Sequence, residues 1–217
     1  MVGRILIGAL AVLAGACGSE PPIPTPDGGV SELMPLRVGH RWEYRVTSSG
    51  GTVSQKIQSV TGTAAVGDVA AFRLLTERAG ERETESVQAV VGGVLVRFSE
   101  TGYRAGTATE RLRYEPPAVR IDSNHVRAGE QYQTQHKKIT LDANGSVLSS
   151  VDVFHTFTVE ADAETVDVPA GRFTSVRVRR ESSDSSVKTY WYAPGLGKVK
   201  ETGGQTEELS KMTPGGS

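Results

Sequence analysis

Few side chains in this 217-residue sequence have the types or spacing from which chemistry is built. Cys17 is the only cysteine, and it closes an apolar run behind the small residues Ala14, Gly15 and Ala16. The four histidines are His40, His125, His136 and His155. None is paired at the short spacing of a zinc site, and no second thiol exists to join them. His136 and His155 flank the dipeptide Asn144-Gly145; an offset pairing would bring them together, but solvent-facing or internally satisfied imidazoles are the expectation. Asp142-Ala143-Asn144-Gly145 lacks the remaining ligands and the closing glutamate of a calcium loop and reads as a turn. Glu160, Asp162, Glu164 and Asp167 could attract a cation, and a solvated acidic loop is the expectation. No serine sits in a G-x-S-x-G elbow, and no glycine-rich phosphate loop precedes a helix. The sequence thus assigns no catalytic residue, no metal ligand and no cofactor, and the chain reads as non-enzymatic, with a hydrolase whose acids and serines come together from distant strands as the lesser alternative.

The elements that would carry these residues read as strands. In His40 to Thr47 apolar and polar residues alternate, which puts Trp42, Tyr44 and Val46 on one face. Ser49-Gly50-Gly51 turns the chain into Thr52 to Thr61, where Val53 and Ile57 share a face and Val60 breaks the parity, the mark of a bulge. Val69 to Arg78 aligns Phe72, Leu74 and Thr76. Glu81 to Val91 follows, then a strand lined by Val94, Val96 and Phe98, then Thr107 to Tyr114, which Pro116-Pro117 ends. Asn144-Gly145, a type I′ hairpin signal, joins Tyr132–Leu141 to Val147–Val159. Thr165–Val168, Phe173–Glu181, Val187–Ala193 and Lys198–Thr202 complete the set. Gly62 and Gly67 argue against a helix in the alanine-rich stretch from Val60 to Leu75. The expected fold is all-β: an antiparallel meander of ten or eleven strands, curled into a half-open or closed barrel, with little or no helix beyond the N-terminal segment. Arg37-Val38-Gly39-His40-Arg41-Trp42 is echoed by Arg127-Ala128-Gly129-Glu130-Gln131-Tyr132, either a common strand-start pattern or the trace of two similar lobes meeting near 115–127.

Charge is nearly balanced, with 24 Lys and Arg against 25 Asp and Glu, and no basic stripe suggests a nucleic-acid partner. At the N-terminus, Arg4 and the apolar run Ile5–Leu13 have the make-up of a signal peptide. The run is too short for a span of about 20 apolar residues. Leu13-Ala14-Gly15-Ala16-Cys17 resembles the lipobox of bacterial lipoproteins, although Leu13 stands four places before the cysteine and Ala14 holds the usual leucine position. The resemblance implies cleavage before Cys17, diacylglycerol on its sulfur and acylation of its new N-terminus, with palmitate as a label. Acyl chains on Cys17 would then be the membrane anchor. Residues 1–16 are read as the signal peptide and 17–32, rich in Pro and Gly, as a flexible tether reaching up to about 40 Å. Residues 33–212 are read as the β domain and 213–217 as a disordered tail.

Three further segments carry a second resemblance. Leu33-Met34-Pro35-Leu36-Arg37-Val38-Gly39-His40-Arg41-Trp42-Glu43-Tyr44, Asp167-Val168-Pro169-Ala170-Gly171-Arg172-Phe173 and Tyr190-Trp191-Tyr192-Ala193-Pro194-Gly195-Leu196-Gly197-Lys198-Val199-Lys200 are similar to motifs of uncharacterised bacterial lipoproteins. That resemblance implies a curled sheet like the half-barrels of periplasmic lipoprotein carriers. Trp191 is expected to pack inward. The aromatic residues Trp42, Tyr44, Phe72, Phe98 and Trp191 are the candidate apolar-ligand site. The expected partners are the membrane, through Cys17, and either an apolar ligand or another envelope protein, the latter through a strand edge. Gly18 after the cysteine, rather than aspartate, points to the outer membrane where the host sorts by that residue, with the domain in the periplasm or at the cell surface.

Overall fold

The computed structural model describes residues 33–216, so Cys17, the signal segment and the tether lie outside the described residues. Twelve strands follow one another: β1 (Arg41–Ser48), β2 (Val53–Val66), β3 (Val69–Arg78), β4 (Glu81–Val91), β5 (Val94–Arg104) and β6 (Thr107–Asp122). Then come β7 (Gln131–Leu141), β8 (Val147–Val168), β9 (Gly171–Ser182), β10 (Val187–Ala193), β11 (Gly197–Thr202) and β12 (Gln205–Thr213). Every neighbour in sequence is an antiparallel neighbour in space, and β1 pairs with β12 to close the barrel. Tyr44 thereby stands opposite Lys56 on one side and Leu209 on the other. Closure satisfies both edges of β1, which an open meander would leave as a template for aggregation.

Alternation in β1 works as its sequence requires: Trp42, Tyr44 and Val46 are fully buried, while Arg41, Glu43 and Arg45 face out. Leu33, Met34 and Leu36, ahead of β1, pack into the same core with Leu74, Phe157, Val178, Val199 and Leu209. The Leu33 N–H donates to Ser123 Oγ at 3.1 Å, tying this plug to the β6–β7 loop. Burying a side chain of this kind contributes roughly 1.5–3 kcal/mol, so the plug is a substantial part of the apolar end.

Several expectations change. There are twelve strands rather than ten or eleven: Gln205–Thr213 supplies the closing strand, and Thr165–Val168 is the end of β8 rather than a strand of its own. Thr213 ends that strand and Gly215 lies against the backbone of Val38 and His40, where a frayed tail was expected. β6 does not stop at Pro116-Pro117: the Glu115–Pro116 bond is cis. Pairing with β5 jumps from Ser99↔Arg113 to Arg97↔Ala118, so the prolines sit in a bulge where no ladder donor is needed. The Asn144-Gly145 hairpin is not type I′, since only Gly145 has positive φ (86°). Asp142 Oδ1 accepts from the N–H groups of Asn144 and Ser146, both at 2.8 Å, and the register slips by one residue beside the turn. The bulge read from Val60 is present, between Val60 and Gly62.

The two echoed segments make the same hydrogen bonds. Gly39 N–H donates to Val60 O and Val60 N–H to His40 O, at 2.8 and 2.9 Å. Gly129 N–H donates to Val159 O and Val159 N–H to Glu130 O, again at 2.8 and 2.9 Å. Both glycines have positive φ, 87° and 92°. Each segment opens a run of six strands, β1–β6 and β7–β12.

Candidate functional site

The five aromatic residues proposed from sequence do not line one cavity. Trp42 and Tyr44 are core: Trp42 Nε1–H donates to Leu196 O at 2.7 Å and Tyr44 O–H to Lys198 O at 3.0 Å. Phe72 is half-buried against the same core. Phe98 is the residue skipped in the pairing of β5 with both neighbours, and the resulting slip turns Leu95, Arg97 and Glu100 inward. In β10 the inward places belong to Tyr190 and Tyr192, so Trp191, expected to pack inward, takes the alternate face beneath Lys200, whose Nζ is 5.7 Å from the ring centre.

The other end of the interior is polar. A cavity of ≈ 290 Å³ runs from Met34 and Leu95 to Arg78, Glu83 and Gln205 near the hairpin turns. Its floor is an ion-pair network. Lys56 Nζ donates to Glu207 at 2.8 and 3.1 Å, Lys198 to Glu207 at 2.7 Å and to Glu201, and Lys188 to Glu201 at 2.6 Å. Burial alone would lower Lys198, but Glu201 and Glu207 hold it well above the usual lysine range. Burial alone would likewise raise both carboxyls, and Lys198, with Lys188 or Lys56, holds them below the usual range. Lys198, Glu201 and Glu207 are thereby ionised at neutral pH, whereas burial and then Lys198 pull Lys56 below the usual lysine range.

His136 is buried, His155 is half-buried, and the two lie close together. Registry sets His136 opposite Val153 and His155 opposite Thr134, and their ring centres are 5.4 Å apart. Both Nδ1 atoms are buried with no hydrogen-bond partner. Burial first, then Arg180 and the neighbouring cations, push His155 down to about 4; His136 is lowered in the same way. The acidic run is strand rather than loop: Arg177 bridges Glu160 at 3.0 Å and Glu164 at 2.7 Å, and Arg172 binds Asp167 at 2.8 Å. Among the described residues no group of three or more His, Cys, Asp or Glu is placed to hold a metal ion.

Ion pairs Arg45–Glu208 and Arg73–Glu85 lie on the outer wall, where a membrane-spanning barrel would carry an apolar band.

One main-chain feature of this closed barrel is open. Among the described residues β8 pairs with β7 from Val147 to Thr158, but its pairing with β9 begins only at His155↔Ser182, which leaves the other side of residues 147–153 without a partner strand. Phe154 directs its N–H and C=O away from β7, to Ser183, whereas Val159 directs its own toward β7. By alternation, Ser150 and Asp152 present N–H and C=O groups along the free side of β8. Val147, Leu148, Val151 and Phe154 stand on this segment with exposures of 58, 67, 54 and 49%. Sequence reasoning anticipated a strand edge but had no means of locating it.

No family model matches the chain, and no curated protein matches it in sequence. The fold is similar to that of a Bacteroides fragilis protein, provisionally described as exported and with a YmcC-like fold. The TM-score is 0.55 at 14% identity, over 85% of this chain and 100% of that one. A Parabacteroides distasonis protein, provisionally described as a lipoprotein, aligns with a TM-score of 0.46 at 14% identity, over 84% of this chain and 99% of that one. The first likeness establishes the shared fold.

Proposed function

We propose that this chain is a non-enzymatic, lipid-anchored protein of the bacterial cell envelope whose barrel takes up an extended segment of another envelope protein along the free edge of β8. The observation that carries the proposal is the open main chain of Ser150 and Asp152 beside the exposed side chains of Val151, Leu148 and Phe154. Such an edge is costly to leave bare, because it templates pairing with other chains. Strand addition uses it: main-chain hydrogen bonds supply affinity, and alternate side chains supply selectivity. Asp152 is held by Lys137 at 3.1 Å, so charge at the edge is already compensated, and an alternating apolar partner strand fits it best.

Anchoring rests on the lipobox-like Leu13–Cys17 stretch and agrees with the description of the structurally similar Bacteroides protein as exported. Acyl chains on Cys17 hold the domain to the membrane, and Gly18 directs it to the outer membrane in hosts that sort by that position. The polar lining of the interior, with ten ionisable Lys, Arg and Glu side chains, favours a protein partner over an apolar ligand. The test is capture from envelope extracts with the full chain and with Ser150→Pro, which removes one free N–H without touching β7. A stoichiometric envelope partner retained by the wild type and lost by the variant supports the proposal; equal recovery by both contradicts it.

A further inference from the structure

The bare side of β8 is bounded at both ends. At one end the Phe154 N–H donates to Ser183 Oγ at 3.2 Å, and the Phe154 C=O accepts from the Ser183 N–H at 2.9 Å. The chain then turns away from β8 through residues 183–186, where the Ser182 N–H donates to Ser186 O at 3.0 Å. At the other end the pairing with β7 passes from Thr140↔Ser149 to Leu141↔Val147, so Leu148 is skipped and the regular alternation stops. Residues 149–153 are left as regular strand with no partner strand on this side among the described residues. Ser150 and Asp152 share the parity of Phe154, so the N–H and C=O groups of both point into the gap.

These main-chain groups favour one direction. An antiparallel strand exchanges two hydrogen bonds with Ser150 and two with Asp152, and the antiparallel ladder is the more stable per residue. Such a strand also runs as β9 does, starting where β9 turns away, and every strand pair of the barrel is antiparallel. Side chains add selectivity. Val151 and Val153 lie on the face of β8 that carries Phe157 and Val159 into the core. In the new ladder they hold the non-hydrogen-bonded places, where facing side chains come closest. Val151 is 54% exposed and Val153 half-buried, so each has apolar surface left to cover. On the other face Asp152 is already met by Lys137 of β7 at 3.1 Å, and a second carboxylate directly across from it is unfavourable. Resting on the reading of β8 as a docking edge, we infer that the docked segment is a five-residue strand antiparallel to β8. Its first and third residues, opposite Val153 and Val151, are apolar, and its second, opposite Asp152, is not acidic. The partner offers an extended stretch that is apolar on one face and neutral or basic on the other.

The experiment measures binding of fluorescein-tagged peptides to the full chain in detergent by anisotropy. The core Val-Lys-Val-Thr-Thr is expected to bind saturably. Val-Glu-Val-Thr-Thr should bind about fivefold more weakly, and Thr-Lys-Thr-Thr-Thr about tenfold. Val151→Lys, at an exposed position that leaves the core intact, should weaken the first peptide to the same extent. A benzophenone placed before the first residue should label the turn at residues 183–186, and one placed after the last should label β8 near Leu148. Labels in the reverse order overturn the direction. Equal binding of the three peptides, or binding unchanged by Val151→Lys, overturns the selectivity. If no peptide binds while a photoreactive group on β8 still captures an envelope protein, this inference fails and the docking edge stands; if neither occurs, both fail.

Discussion

Gly39 and Gly129 hold equivalent places in the two six-strand halves of the barrel, each donating its N–H at 2.8 Å to the valine (Val60 or Val159) that precedes a bulge. The positive φ of both residues turns the chain into the first strand of its half, and a side chain at either position strains that step. Their surroundings differ, because a Cβ on Gly39 would meet Gly215 Cα at 3.1 Å, while one on Gly129 would meet nothing within 4 Å.

Gly129→Ala should therefore cost about 1–2 kcal/mol, the left-handed penalty alone, and Gly39→Ala more, by displacing the C-terminal segment. Urea unfolding of both variants checks the order. Equal losses would mean that Gly215 moves aside freely.

Glu207 is 1% exposed and receives Lys56, Lys198 and Gln205. Glu207→Gln leaves two buried ammonium groups short of an anion and should destabilise the barrel by about 3–5 kcal/mol. Glu208→Gln, which loses the half-exposed Arg45 partner, should cost less than about 1 kcal/mol. Denaturant midpoints of the two variants compare neighbouring carboxylates that face opposite sides of the wall.

Stability should fall in acid by two routes. Folded Glu201 and Glu207 lie below the usual carboxylate range, so their contribution is complete above the unfolded value of about 4.3 and is lost as pH falls toward the folded values. His155 acts earlier. Its folded value is about 4, below the unfolded value of about 6.5, so the unfolded chain binds more protons between these values and stability already declines there. His155→Gln should flatten the limb between pH 6.5 and 4, and Glu207→Gln the limb below 4.3. Proton NMR of His155 should show a neutral ring down to about pH 4.

β1 was legible in the sequence because Trp42, Tyr44 and Val46 alternate with charges, and one face is apolar. β2 was legible as a strand but its inward face was not, because its apolar residues Val53 and Ile57 share the face opposite to Lys56, Gln58 and Val60, and it is the latter that turn inward. Closure by β12 depends on pairing across the whole chain, which no local pattern encodes, and the bulge at Phe98 reverses a parity that sequence alternation assumes. The proximity of His136 and His155 required the hairpin register, set by a one-residue slip beside Gly145. The free edge of β8 arises from strand lengths on three neighbours and was visible only in the assembled sheet.

The central claim is that β8 receives a strand of another envelope protein, and site-specific photo-cross-linking in intact cells tests it most directly. A photoreactive residue replaces Val151 on the free edge or, as a control, the exposed Arg73 on the outer wall. The expected result is one dominant cross-link from position 151 to a single envelope protein of different sequence, absent from position 73 and removed by Ser150→Pro. Cross-linking only to a second copy of this chain, or none above the position 73 control, would contradict the claim.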